Sequence, residues 1–273
     1  MPIQSRAASM VEPQEAMRAH SAQGGSHWLR RADKEARRER YADAIASLAR
    51  AVGAGADAYS CTLRIAEMYR SLGDESAALR AAEAAAKQRP ELLPARELIL
   101  SMALERGDFA RAIETGRSIL KSCPRHIGAL DALGAAYVQS GDVEAAIRVA
   151  NALIRIDPEA PVHRFKKALL CQHYGDVSQA VQEFTQAILL DPSGTHAADA
   201  REALENLDTY QLNQIVTLAI EDTVFRVKLT RDAVEAVEER GFCLSETGKQ
   251  ILLELGSRIL PDFCEPCRSM KYN

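Results

Sequence analysis

Apolar residues recur at i, i+3 and i+4 along most of the chain, the spacing that gives a helix one apolar face. These helical stretches come in pairs, and the pairs repeat. Ala44, Ala78, Ala112, Ala146 and Ala180 stand 34 residues apart, each followed by an aliphatic residue: Ile45, Leu79, Ile113, Ile147 and Val181. Gly73-Asp74, Gly107-Asp108, Gly141-Asp142 and Gly175-Asp176 recur at the same interval, as do Pro90, Pro124, Pro158 and Pro192. Three features in phase over four or five copies predict a stack of like units.

Each feature has a physical role within the unit. Gly accepts the left-handed backbone that ends the first helix. The Asp after it accepts hydrogen bonds from the free N–H groups that start the second. The recurring Ala marks a place where two helices approach too closely for a larger side chain. Pro cannot continue a helix interior and separates one unit from the next. The result is antiparallel helix pairs, each burying its face on its neighbours.

At these positions the sequence resembles the tetratricopeptide repeat family over about residues 25–192. In the first unit Trp28, Ala32, Ala44 and Leu48 fit the pattern, but Glu39 replaces the Gly and Ala56 the Pro. The second unit supplies Ala66, Tyr69, Gly73, Ala78 and Pro90. The third departs most, with Ala103 and Gly116 at customarily larger positions. The fourth supplies Leu130, Leu133, Gly134, Tyr137, Gly141, Ala146 and Pro158. The fifth supplies Ala168, Gly175, Ala180, Phe184, Ala187 and Pro192, with Cys171 at the usual aromatic site. The resemblance implies an all-α fold: a right-handed superhelical solenoid of five helix pairs over 25–194.

The resemblance also implies a function. In that family the first helix of each unit lines a concave groove that holds a peptide or a partner segment. By register the groove positions here are Leu63, Glu67 and Arg70; then Glu97, Ser101 and Leu104; then Asp131, Ala135 and Val138; then Val162, Phe165, Leu169, Gln172 and His173. The Lys and Asn residues with which some members clamp a chaperone's C-terminal carboxylate are replaced by Leu63, Glu67 and Asp131, so no such clamp is expected. The groove reads as acidic at Glu67, Glu97, Glu105 and Asp131 and apolar at Val162, Phe165 and Leu169. A partner basic at one end, with apolar anchors at the other, matches that pattern.

After the fifth unit the repeat stops: Thr209 and Gln214 stand where Gly and Ala are needed. Residues 195–208 read as a helix that caps the last apolar face. Asp208 followed by Gln211 reads as a capping box opening a new helix. Helices are expected over about Tyr210–Leu229, Arg231–Arg240 and Glu246–Leu255, with Gly241 and Gly256 as stops, making a small helical bundle over 209–260. The run Asp222, Phe225, Arg226, Leu229, Asp232, Ala236, Gly241, Leu244, Ser245, Glu246 is similar to leader-type domains of modified-peptide precursors related to nitrile hydratase. That likeness implies a recognition handle for a modifying enzyme, beside the plain reading of a C-terminal cap. Ala233 stands where that pattern often has Pro, and no Gly-Gly cleavage pair follows.

Composition narrows the chemistry. The 273 residues are 47% hydrophobic and 26% charged, which excludes a wholly disordered chain. Aromatics are 5%, with Trp28 the single tryptophan, which disfavours a β-sandwich or barrel. The net charge of −4 carries no electrostatic footprint for nucleic acid. The basic run Arg30, Arg31, Lys34, Arg37, Arg38, Arg40 is interleaved with Asp33, Glu35 and Glu39 and reads as a self-neutralised helix face. No signal-peptide run precedes it, and no stretch nears the roughly 18 apolar residues that span a bilayer, so a cytoplasmic protein with no membrane partner is expected. Residues 1–24 read as a flexible tail.

Cys61, Cys123, Cys171 and Cys243 are scattered and read as small buried hydrophobes. Cys264 and Cys267 form a C-x-x-C pair in a terminal tail over 261–273. It is half a zinc site or a redox couple, and no second pair completes it. His20, His27, His126, His163, His173 and His196 show no metal spacing, and His126 and His196 fall in inter-repeat turns, where solvated side chains are expected. There is no P-loop, no G-x-G-x-x-G and no G-x-S-x-G. The sequence therefore points to a binding protein, with no catalytic residue, cofactor or metal assigned.

Overall fold

The computed structural model describes residues 25–263, with side chains described to residue 256. The expected tail at 1–24 and all but 261–263 of the one expected at 261–273, Cys264 and Cys267 included, lie outside the described residues; 261–263 are helical, not tail. The described chain is helical, without strands. It divides into two compact units, the first ending at Ser140 and the second beginning at Gly141.

The first unit holds α1 (residues 25–36), α2 (Tyr41–Gly53), α3 (Ala58–Ser71), α4 (Glu75–Gln88), α5 (Pro94–Glu105), α6 (Phe109–Ser122) and α7 (Ile127–Ser140). Successive helices pack against each other from α2 to α7. The turns between paired helices follow the Gly-Asp rule: Gly73 and Gly107 take φ of +77° and +72°, and Asp74 and Asp108 then accept from the N–H groups of Ala77 and Arg111. The first pair lacks both devices. Glu39 is forced to a φ of +58°, and Arg40 offers α2 no side-chain cap.

Small residues let the helices close up. Ala44, Ala78, Ala82 and Ala112 are fully buried. Gly116 of α6 faces Leu133 of α7, whose Cγ lies 2.7 Å from where a Cβ would stand. Leu133 thus fills the space that a larger residue occupies in a more regular repeat.

The second unit holds α8 (Val143–Ile156), α9 (Pro161–His173), α10 (Val177–Leu190), α11 (Ala197–Glu221), α12 (Thr223–Arg231), α13 (Ala233–Glu239) and α14 (Glu246–Phe263). Gly141 and Gly175, at φ +76° and +83°, precede Asp142 and Asp176, which cap α8 and α10. Two apolar cores follow. Phe184, fully buried, packs with Ala168, Cys171, Val181 and, from α11, Ala200 and Leu204. Phe225, also fully buried, packs with Leu212 and Ile215 of α11 and with Leu229, Val237, Leu244 and Leu252.

Three boundaries differ from the sequence reading. Asp208 opens no helix: α11 runs unbroken through it, because the Asp208 carboxylate is spent elsewhere. It accepts the Ser245 N–H at 2.8 Å and the Ser245 hydroxyl, while Gln211 exchanges two 2.8 Å bonds with the backbone of Cys243. The stretch expected as one helix to Leu229 breaks at Asp222, which caps α12 by accepting from the N–H groups of Val224 and Phe225. Gly256 stops nothing, and α14 continues to Phe263. A glycine inside a helix costs only about 1 kcal/mol, and Gly256 does not adopt the positive φ that Gly241 uses to end α13.

Candidate functional site

In the first unit the predicted groove positions lie on α3, α5 and α7. None is fully buried. Glu67, Arg70 and Ala135 are exposed, and Glu97, Ser101, Asp131 and Val138 are half-buried. Leu63 and Leu104 are half-buried too, but they lean on cores, Leu63 against Tyr59, Ala85 and Ala95, and Leu104 against the core around Ala112 and Ile119.

Two of the four acidic residues expected at that end, Glu97 and Glu105, are engaged within the protein. Arg70 donates to Glu105 across neighbouring helices. Glu97 meets Nε2 of His126 at 2.6 Å. The Ala129 N–H donates to Nδ1 of the same ring, so Nε2 carries the proton and donates to the Glu97 carboxylate. His126 is therefore half-buried and capping α7, not the solvated turn residue expected. The signal for these pairs was in the sequence, because residues about one repeat apart meet on stacked helices. Asp33–Arg64, Asp57–Arg89 and Glu83–Arg111 follow the same rule. Such exposed pairs add little to stability, but they use up charge that a partner would otherwise meet.

In the second unit the predicted positions lie on α9, which Pro161 opens. Leu169 is 44% exposed, and His173 is exposed with its ring against Tyr174. Val162 and Gln172 are half-buried. Phe165 is a core residue as much as a surface one. It packs edge-on against Phe184 at 5.7 Å between ring centroids and stacks on His196 at 4.8 Å. That stacking also takes His196 out of the solvated role expected for it.

Buried beside this face are charged groups that the sequence did not single out. Lys167 and Arg164 both donate to Glu183 of α10, at 2.8 and 3.1 Å. A buried cation held by a carboxylate in this way is structural, and it anchors α9 on α10. Burial pushes the Cys61 and Cys171 thiols above their ordinary pKa, so both remain protonated at neutral pH. Cys123 and Cys243 are half-buried. No group of three or more His, Cys, Asp or Glu among the described residues could hold a metal ion. No helix among them is long and apolar enough to cross a membrane.

The sequence reading also missed an apolar cavity of about 140 Å³ among the C-terminal helices. Its walls include Leu212, Ile215 and Ile220 of α11, Leu229 of α12, and Leu252 and Leu255 of α14. The available signal was that the second half of α11 is apolar on more than one face: Val216 and Ile220 are exposed while Leu212 and Ile215 are buried.

Two tetratricopeptide repeat models match the chain, over residues 63–127 and 133–205, together half of its length. The chain belongs to the tetratricopeptide repeat family. Solved structures of similar fold include MamA (residues 41 to the end) from Desulfovibrio magneticus, at 18% identity and a TM-score of 0.55, covering 63% of this chain and 97% of that one. Another is YrrB, described as a tetratricopeptide repeat protein with an unusual peptide-binding site. It matches at 14% identity and a TM-score of 0.53, over 64% of this chain and 90% of that one. No curated protein matches. At these identities the likeness shows the fold, an all-α tetratricopeptide solenoid.

Proposed function

We propose that the protein is a non-enzymatic cytoplasmic scaffold that holds a peptide segment of a partner protein against the first helices of its repeats. The observation that carries this reading is Leu169, a large apolar side chain 44% exposed on α9, with half-buried Val162 on the same predicted face. Exposed apolar side chains on an otherwise polar helix face act as anchors for an incoming chain. The family, a family of interaction modules, supports it, as does the peptide-binding site described for YrrB. Because Glu97 and Glu105 are engaged internally, the partner is recognised by apolar anchors at α9 more than by basic residues at α3 and α5.

Partner recovery from extracts of the native host, wild type against Leu169→Glu, tests this. Leu169 is exposed, so the substitution spares the core that Phe165→Glu would disturb. Recovery reduced about tenfold is expected; equal recovery removes the groove from the reading. A second reading takes residues 210–256 as a leader-like element docked by a modifying enzyme, and the apolar cavity beside Ile220 favours it. Intact-mass measurement of protein from the native host separates the two, since this reading requires a modified chain.

A further inference from the structure

The basic run of α1 and the turn after it is only partly self-neutralised, because the nearby carboxylates leave four of its cations unpaired among the described residues. Asp33 pairs with Arg64 of α3. Glu35 is buried, accepting the Ser47 hydroxyl at 2.6 Å and pairing with Arg31. Hydrogen bonds from Ser47 and Arg31 hold the Glu35 carboxyl below its ordinary pKa, so it stays charged and occupied. Glu39 lies beyond the helix, at the strained turn. Arg40 pairs with Asp43. Arg30, Lys34, Arg37 and Arg38 remain, all exposed and without an ion pair among the described residues. Arg30 and Lys34 lie on α1 and Arg37 and Arg38 in the turn that follows it, and the four line a shallow depression of about 350 Å³ that also includes Asp33.

We propose that this basic stripe is a second docking surface, separate from the groove, for an Asp/Glu-rich segment of a partner protein. Charge complementarity defines the occupant: four uncompensated cations lining one depression at the C-terminal end of α1, on a chain whose net charge is −4. That negative total disfavours nucleic acid, whose binders carry a net basic domain. The rings of α1 are also engaged with their neighbours: His27 sits edge-on to Trp28 at 5.4 Å between centroids. Trp28 is half-buried, with the guanidinium groups of Arg31 and Arg50 over its ring at 5.4 and 4.9 Å. A membrane surface is disfavoured because no large apolar residue of α1 is exposed to enter it.

Trp28 gives the test its readout, being the only tryptophan and touching Arg31, one residue from Arg30. The full chain is titrated with a ten-residue glutamate-rich peptide while tryptophan fluorescence is followed. A saturable change is expected, weakened about tenfold in the Arg30→Glu/Lys34→Glu/Arg37→Glu variant and weakened again between about 50 and 500 mM NaCl. The neutral variant Arg30→Gln/Lys34→Gln/Arg37→Gln, with an unchanged circular dichroism spectrum, should show an intermediate loss. Leu169→Glu should bind the peptide as wild type does, so this surface and the groove stand or fall separately. The proposal is overturned if no acidic peptide gives saturable binding, if the charge-reversed variant binds equally well, or if a single-stranded oligonucleotide of equal charge binds more tightly than the peptide.

Discussion

The helix ends of the repeats and those of the C-terminal helices are held in different ways. In every repeat but the first, the second helix starts on an Asp that accepts from the N–H three residues on, as Asp74 does from Ala77 and Asp176 from Gln179. The turn before α14 is held instead by α11, whose Asp208 and Gln211 reach residues 37 and 32 positions later. Beside that latch the helices pack so tightly that a Cβ on Gly248 would meet the Asp208 carboxylate at 2.5 Å. The first arrangement survives the loss of any one contact, because the next repeat has its own. The second concentrates the docking of a whole segment on two side chains of one helix.

The largest effects test whether α11 makes one body of its two cores. It contributes Ala200 and Leu204 to the Phe184 core and Leu212 and Ile215 to the Phe225 core. Phe184→Ala and Phe225→Ala should each destabilise by about 3–5 kcal/mol. Both should lower a single thermal transition followed by circular dichroism. A separate early transition in Phe225→Ala alone would show that the C-terminal helices unfold on their own and that α11 does not couple them.

Next in size is the latch. Asp208→Ala leaves the buried Ser245 N–H without its acceptor and should cost about 1–3 kcal/mol. Asp74→Ala removes a half-exposed cap and should cost about 1 kcal/mol. Hydrogen exchange reads the distinction: Asp208→Ala should accelerate exchange at Cys243 and Ser245 together, Asp74→Ala only around Ala77. Acceleration confined to Ser245 would mean that Gln211 holds the turn without Asp208.

A smaller change should stabilise. Glu39 occupies the left-handed turn that Gly fills in the other units, at a cost of about 1 kcal/mol. Glu39→Gly should raise stability by about that amount in urea unfolding. No gain would mean that the Glu39 side chain compensates for its backbone.

The repeat architecture was legible because its determinants are local and periodic. Gly73 with Asp74 specifies a turn and a cap within five residues, and the spacing from Ala44 to Ala78 repeats the same contact. The C-terminal region was legible in composition but not in boundaries. Asp208 and Gln211 have the spacing of a capping box, and nothing local says that their partners are Ser245 and Cys243. The internal partners of two groove carboxylates were hidden for the same reason. Glu105 and Glu97 look free when read along one helix and are engaged once Arg70 and His126 stack beside them.

The smallest effect separates the two regions by pH. Hydrogen bonds from the Ser60 hydroxyl and N–H hold the Asp57 carboxyl, in the repeats, below its ordinary pKa, while the N–H groups of Phe225 and Val224 and the Arg240 guanidinium do the same for Asp222. A carboxyl whose folded pKa lies below its unfolded one stabilises the fold above the unfolded value, near 3.9 for Asp, and that contribution fades as pH falls through the folded value. The two sites differ in what protonation disturbs. Asp57 caps α3 at the surface, whereas Arg240 joins Asp222 to the ring of the buried Phe225, 5.5 Å from the guanidinium carbon. Acid should therefore disturb α12 more than it disturbs α3. Melting curves at about pH 7 and about pH 2.5 check this with Asp222→Asn and Asp57→Asn. Each variant should melt below wild type at neutral pH and converge on it in acid, with the larger neutral-pH gap for Asp222→Asn. A gap that stays constant with pH would assign the loss to packing rather than to the ionised carboxylate.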